Sequence, residues 1–258
     1  MRALSRVWTI AMNTVREAVR SKLLYVLLFF AVLMILSSTF LAALSYVERE
    51  RILQDVGLAA IRVFGVAIAI FVGVGLIYKE VDRRTVQTIL SKPLTRAEFL
   101  LGKFVGLVIA IWMQMAIMVT VFGVVSLVSG APLSATHAAA FLLTAIELAL
   151  VVAIATFFSA FTTPMLASFF SSALWLVGNL TRNLRDIGAA SELESVRMAT
   201  LWLHRLLPDL DSFNLSIEAV HGLPIAASDV WLPIFYGFAY IAIVLLGAVV
   251  VFERRDFR

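Results

Sequence analysis

Two ionisable residues stand inside otherwise apolar sequence: Arg62, within the run 56–78, and Glu147, within the run 138–161. A charged group in such a setting is costly and is a functional candidate by default. Counted from the ends of their runs at the helical rise, Arg62 is about 9 Å and Glu147 about 13 Å from the same side of the membrane, within reach of each other. Two readings of the pair stay open. It is either an interhelical ion pair that fixes packing or a polar step in a substrate pathway. Gln114, Asn179 and Ser171–Ser172 are more ordinary, of the kind that bond across membrane helices at roughly 0.5–2 kcal/mol each.

The remaining residue types exclude more than they suggest. There is no Cys, so no disulfide, thiolate nucleophile or thiolate-bound metal is available. His137, His204 and His221 are far apart and lack metal-ligand spacing. An intramembrane enzyme needs clustered groups at one depth, such as paired acids, a Ser–His pair or an H-E-x-x-H helix. The lone Glu147 is not such a site. Nothing predicts a resident cofactor, a metal or a nucleic-acid partner.

The elements that must position these residues are membrane helices. The chain is 62% hydrophobic and only 15% charged, far from the roughly 45–50% and 25% of soluble domains. A chain of 258 residues with this balance needs lipid as part of its solvent. Spans need about 20 mostly apolar residues. The sequence predicts six, at 23–47, 56–78, 104–128, 138–161, 165–180 and 231–252. Thr162-Thr163-Pro164 makes the fourth and fifth a tight hairpin. The apolar run after Lys22 is longer than the ~7–15 residues of a signal-peptide core, so it reads as a span. Tyr25, Tyr46, Tyr78 and Trp231 sit near the predicted interfaces as belt anchors.

Lys and Arg set the orientation. Arg2, Arg6, Arg16, Arg20 and Lys22 share one side with Lys79, Arg83, Arg84, Lys92, Arg96, Lys103, Arg254, Arg255 and Arg258. The other side holds Arg49, Arg51, Arg182, Arg185, Arg197 and Arg205, mostly in a long loop. Both termini are therefore expected in the cytoplasm. Three segments do not span. Residues 4–20 form an amphipathic helix, with Leu4, Val7, Trp8, Ala11, Val15, Ala18 and Val19 on one face and Arg6, Asn13, Arg16, Glu17 and Arg20 on the other. Such a helix suits the membrane interface. Residues 181–230 read as short helices at the outer leaflet. Residues 79–103 form a charged cytoplasmic loop.

That loop carries most of the information. Thr85–Leu90 reads as a short helical turn stopped by Pro93, and Thr95 with Glu98 is a capping-box pattern that starts the helix of the third span. Such a loop is short and rigidly attached to two spans, so it can pass force from a soluble partner into the membrane. Glu80, Asp82, Thr85, Ser91, Pro93, Thr95, Arg96, Glu98, Gly102 and Lys103 match, residue by residue, the pattern E-x-(D/E)-x-(G/R)-T-x5-S-x-P-x-(S/T)-R-x-(D/E)-x3-G-K. In this the chain resembles the ABC-2-type transporter permeases, as a single six-span, type V exporter-like subunit. Arg84 departs from the Gly of many members. The tail Phe252-Glu-Arg-Arg-Asp-Phe and the run Leu207-Pro-Asp-Leu-Asp-Ser-Phe-Asn-Leu215 also look like this family, so the resemblance covers most of the chain.

The resemblance implies one transmembrane permease domain over 1–258, in a bacterial cytoplasmic (inner) membrane, serving an ATP-driven exporter. It implies a homodimer and two copies of an ABC ATP-binding subunit. That subunit would carry ATP and Mg and would be met by Glu80, Asp82, Arg83, Arg84, Thr85, Lys92, Pro93 and Arg96. The sequence itself has no G-x-x-x-x-G-K-[ST] phosphate loop, and Gly102-Lys103 alone is not one. The chain is thus expected to be a transport subunit rather than an enzyme. The alternatives are a permease serving maturation of an extracytoplasmic enzyme and an ion-coupled secondary transporter. The latter would call for more intramembrane acids and for inverted repeats, which are not evident.

Overall fold

The computed structural model describes residues 2–44, 48–82, 95–180 and 207–253, together with Met198. These residues form α1 (Arg2–Val19), α2 (Lys22–Ala43), α3 (Arg49–Asp82), α4 (Arg96–Val128), α5 (Ala135–Ser159), α6 (Pro164–Gly178), a 3-10 turn (Asp211–Phe213), α7 (Ser216–His221) and α8 (Ala227–Glu253). Five of them, α2, α3, α4, α5 and α8, are long and apolar enough to cross a membrane.

Helix α5 is the central post. Every residue from Ile146 to Thr156 is buried, and α3, α4, α6 and α8 all pack against it. Ala149, Ala153 and Ala155 keep its surface low, which lets neighbouring backbones approach where lipid offers no hydrophobic drive between helices. Helix α2 is peripheral. One stripe (Leu24, Ala31, Ile35, Ser38, Ala42) is buried, while Phe29, Phe30 and Phe40 are exposed.

The two ends of the bundle are built differently. At the near end, where α1 lies, Phe99 of α4, Ala160 after α5 and Phe252 of α8 form one buried cluster. At the far end, α4 turns into α5 through Gly130, whose φ of 78° is the left-handed backbone that glycine adopts without strain. The Ser126 hydroxyl donates to the Ala131 carbonyl across this turn. His137 helps start α5, because its Nδ1 accepts from the Ser134 amide at 3.1 Å.

Three expectations change. First, α3 overruns its predicted span, beginning at Arg49 rather than Val56, whereas α4 begins at Arg96, where the Thr95–Glu98 pattern placed its start ahead of the span. Polar end residues extend a helix beyond the apolar run that identifies it. The predicted first span to Val47 ends earlier, at Ala43.

Second, the predicted span 165–180 is the helix Pro164–Gly178, of 15 residues, about 22 Å long against a hydrocarbon thickness of about 30 Å. Proline starts it, and at Gly178 another strand of chain arrives. A Cβ on Gly178 would lie 2.8 Å from Leu210 Cδ1 and 2.9 Å from the Pro208 carbonyl oxygen. The Gly178 carbonyl accepts from the Leu210 amide at 3.1 Å.

Third, the apolar face of α1 is divided. Ala11, Thr14, Val15 and Ala18 are buried, while Leu4, Trp8 and Val19 are exposed. Helix α4 takes the buried part, so α1 rests on protein with only a remnant stripe outside it.

Candidate functional site

The far-end site is assembled by four stretches of chain. Arg62 comes from α3, Glu147 from α5, Trp175 and Asn179 from the end of α6, and Leu210 from the segment before the 3-10 turn. Arg62 donates from Nε to Glu147 Oε2 at 2.8 Å and from Nη2 to Glu147 Oε1 at 2.9 Å. The same Nη2 meets Asn179 Oδ1 at 2.5 Å and the Leu210 carbonyl at 3.2 Å. The Trp175 indole N–H donates to Glu147 Oε1 at 2.9 Å. Asn179 returns its amide to the Trp175 carbonyl at 2.8 Å, one turn back.

Glu147 is fully buried and the Arg62 side chain is 13% exposed. A fork-on-carboxylate contact is the geometry in which a buried ion pair best offsets its desolvation. The depths counted from the apolar runs pointed to this meeting. They gave no sign of Trp175 and Leu210. The i, i+4 spacing of Trp175 and Asn179 on an apolar helix was the available signal.

The network also answers a problem of backbone chemistry. Non-helical chain at membrane depth is tolerated only where protein or a water-filled cavity satisfies it. Leu210 and Phe213 are fully buried. Their segment is held by Gly178 O, by Arg62 on the Leu210 carbonyl and by the Tyr236 hydroxyl, which accepts from the Asp209 amide at 3.0 Å. Beside it lies a cavity of about 420 Å³. Helix α3 contributes Asp55, Ala59, Arg62 and Val63, α6 contributes Trp175 and Asn179, and Asp211, Asn214 and Ser216 close the remaining side.

The near-end site surrounds the start of α4. Thr95 and Glu98 form the full capping box: Thr95 Oγ1 accepts from the Glu98 amide at 3.2 Å, and Glu98 Oε2 accepts from the Thr95 amide at 3.0 Å. The other oxygen of Glu98 takes Arg6 of α1 at 2.9 Å. Two turns on, Lys103 is 1% exposed, and its Nζ lies 3.3 Å from Glu17 Oε2. Between these pairs the two backbones nearly touch. A Cβ on Gly106 would lie 2.5 Å from the Ala11 carbonyl oxygen, and one on Gly102 would lie 2.7 Å from Ile10 Cβ. The Gly102-x-x-x-Gly106 spacing was the sequence signal for this contact. Helix α8 joins the hub: Arg96 Nη1 donates to the Phe252 carbonyl at 3.2 Å, and the Phe99 and Phe252 rings stack with centroids 6.3 Å apart.

Of the residues expected to meet an ATP-binding partner, Arg96 is thus the first residue of α4. Glu80 and Asp82 fall in the last turn of α3. Arg83, Arg84, Thr85, Lys92 and Pro93 lie outside the described residues. So do residues 181–206, the larger part of the predicted outer region. Gln114 donates to the Leu24 carbonyl at 3.3 Å, tying α4 to the start of α2. Among the described residues, no group of His, Asp and Glu is placed to hold a metal ion.

Long apolar helices around a buried ion pair define a multi-pass α-helical membrane protein. Residues 8–257 match the family described as ABC-2 family transporter protein, and the chain belongs to that family. It is therefore the membrane permease part of an ABC transporter, a kind of transport subunit that associates with an ABC ATP-binding subunit and generally lacks its own ATP site. No curated protein matches the chain.

Proposed function

We propose that this permease is one half of an ATP-driven exporter in a bacterial cytoplasmic membrane. Two copies pair, and each meets an ATP-binding subunit, which holds ATP and Mg, through the loop between α3 and α4. The near end faces the cytoplasm. Helix α1 lies in the interface there, with Leu4, Trp8 and Val19 toward lipid, and α6 counts as the sixth crossing.

The observation that carries this reading is the near-end hub. The loop opens directly into a capped helix whose first turns are tied to α1 by Arg6–Glu98 and Lys103–Glu17 and to α8 by Phe99–Phe252. A docking loop needs an attachment of this kind, because displacement at the loop is then shared by three helices rather than lost at a joint. The lysine- and arginine-rich composition of the near-end segments supports the cytoplasmic assignment.

The test is co-purification of the full chain with its ABC ATP-binding subunit, with ATP turnover measured in lipid. Arg84→Glu, Glu80→Lys and Arg96→Glu are each expected to lower association or turnover at least several-fold. Wild-type association and turnover in all three would overturn the docking site.

A further inference from the structure

The cavity at the far end has one wall whose chemistry nothing above uses. Arg62 spends Nε and Nη2 on Glu147, Asn179 and Leu210. Its third nitrogen, Nη1, has no hydrogen-bond partner among the described residues, and Arg62 lines the cavity. The positive charge of this guanidinium is already balanced by Glu147, held in two hydrogen bonds. What Nη1 offers the cavity is therefore a pair of N–H donors without excess charge.

Asp55 lies seven residues earlier on the same face of α3, about 10 Å along the axis. It lines the same cavity, is exposed, and makes no hydrogen bond or ion pair among the described residues. Glu48 and His221 are its ionisable neighbours. Ala59 stands between these two positions on α3, Val63 follows Arg62, and Trp175 of α6 lines the same cavity.

We infer that this cavity binds an amphiphile that carries a positively charged amine or quaternary ammonium together with a hydrogen-bond acceptor. The cation pairs with Asp55, the acceptor oxygen takes Nη1 of Arg62, and the apolar part lies along Ala59, Val63 and Trp175. The volume suits such a head group with the first part of its chain: small-molecule sites are usually about 300–1,000 Å³, mostly apolar, with a few placed polar groups. An anionic amphiphile is disfavoured, because the arginine's charge is spent on Glu147 while the Asp55 carboxylate remains to repel it. The assignment names a ligand class for the transport proposed above, and rests on that reading for its role, though not for its binding chemistry.

The test uses the full chain in a non-ionic detergent and three twelve-carbon probes. Lauroylcholine has both cation and acceptor, dodecyltrimethylammonium has the cation alone, and dodecanoate is the anion. Equilibrium dialysis is expected to show saturable binding of lauroylcholine, several-fold weaker binding of dodecyltrimethylammonium and the weakest binding of dodecanoate. Asp55→Asn is expected to weaken lauroylcholine at least tenfold. Ala59→Trp, which fills the cavity and keeps every charge, is expected to abolish saturation, with an unchanged melting temperature as the check on folding. Dodecanoate binding as tightly as lauroylcholine, or unchanged lauroylcholine binding in Asp55→Asn, overturns the assignment. No ATP-binding subunit enters this experiment, so its failure would leave the docking proposal standing, and failure of docking would leave this result standing.

Discussion

The two ends of this bundle solve the same task, joining distant helices through charge, in opposite ways. At the far end one buried pair is shared: Glu147 takes Arg62 and Trp175, and Arg62 takes Glu147, Asn179 and Leu210. At the near end charge is divided over two ion pairs, Arg6 with Glu98 and Lys103 with Glu17, each with a member at least partly open to solvent. The close fit between them is made by glycine rather than by charge. A shared network fixes one arrangement, because no member can move without stranding another in an apolar setting. Two part-exposed pairs flanking a glycine surface hold two helices together without burying a whole network of charge.

The sharpest way to break this contrast is at Glu147. Glu147→Ala strands the Arg62 guanidinium and is expected to cost about 3–5 kcal/mol, read as a large fall in melting temperature or in folded yield. The double change Arg62→Met with Glu147→Leu removes both charges and is expected to be milder than Glu147→Ala. If the double variant is worse, the pair is not acting as one unit.

Next in size is Gly106→Val at the near end. Its side chain meets the α1 backbone, and overpacking of this kind costs about 1–3 kcal/mol. Protease cleavage within α1 is expected to accelerate while the far end, followed by its own cleavage pattern, stays protected. Equal loss of protection at both ends would remove the distinction.

The third probe is charge exchange. Lys103→Glu and Glu17→Lys are each expected to weaken the α1–α4 contact. The combined swap is expected to recover more than half of the loss, whereas Arg62→Glu with Glu147→Arg should recover little, because Trp175 and Asn179 fit only the native polarity. The smallest effect is Arg6→Ala, which breaks a pair whose two members are both partly exposed, at about 0.2–1 kcal/mol in melting experiments.

What the sequence made legible follows the same division. Arg62 and Glu147 stood out because charge in an apolar run is conspicuous, and helical rise alone placed them within reach of each other. Thr95 and Glu98 were legible because capping is local chemistry over three residues. The early end of α6 was not, because its cause is Leu210 and Pro208, which approach Gly178 from a segment that no periodicity ties to it. The faces of α1 were readable as apolar and polar, but Val7 and Ala11 do not declare whether protein or lipid will cover them. That was decided by Gly102 and Gly106 on α4, in a stretch that reads first as the beginning of a span.

Helix α3 runs unbroken from Arg49 to Asp82, and the Arg62 network grips it nearer one end than the other. From that grip to Asp82 is roughly 30 Å at the helical rise. A long rod held off-centre is a lever. A tilt of about 5° around the grip would swing Asp82 by about 2.6 Å over that arm, while Asp55, about 10 Å from the grip on the shorter arm, would move about a third as far, on the geometry of a straight helix. The position of one arginine along the rod thus sets a gearing ratio between its two arms, and moving the ion pair a turn along α3 would change that ratio without altering any residue of the loop between α3 and α4.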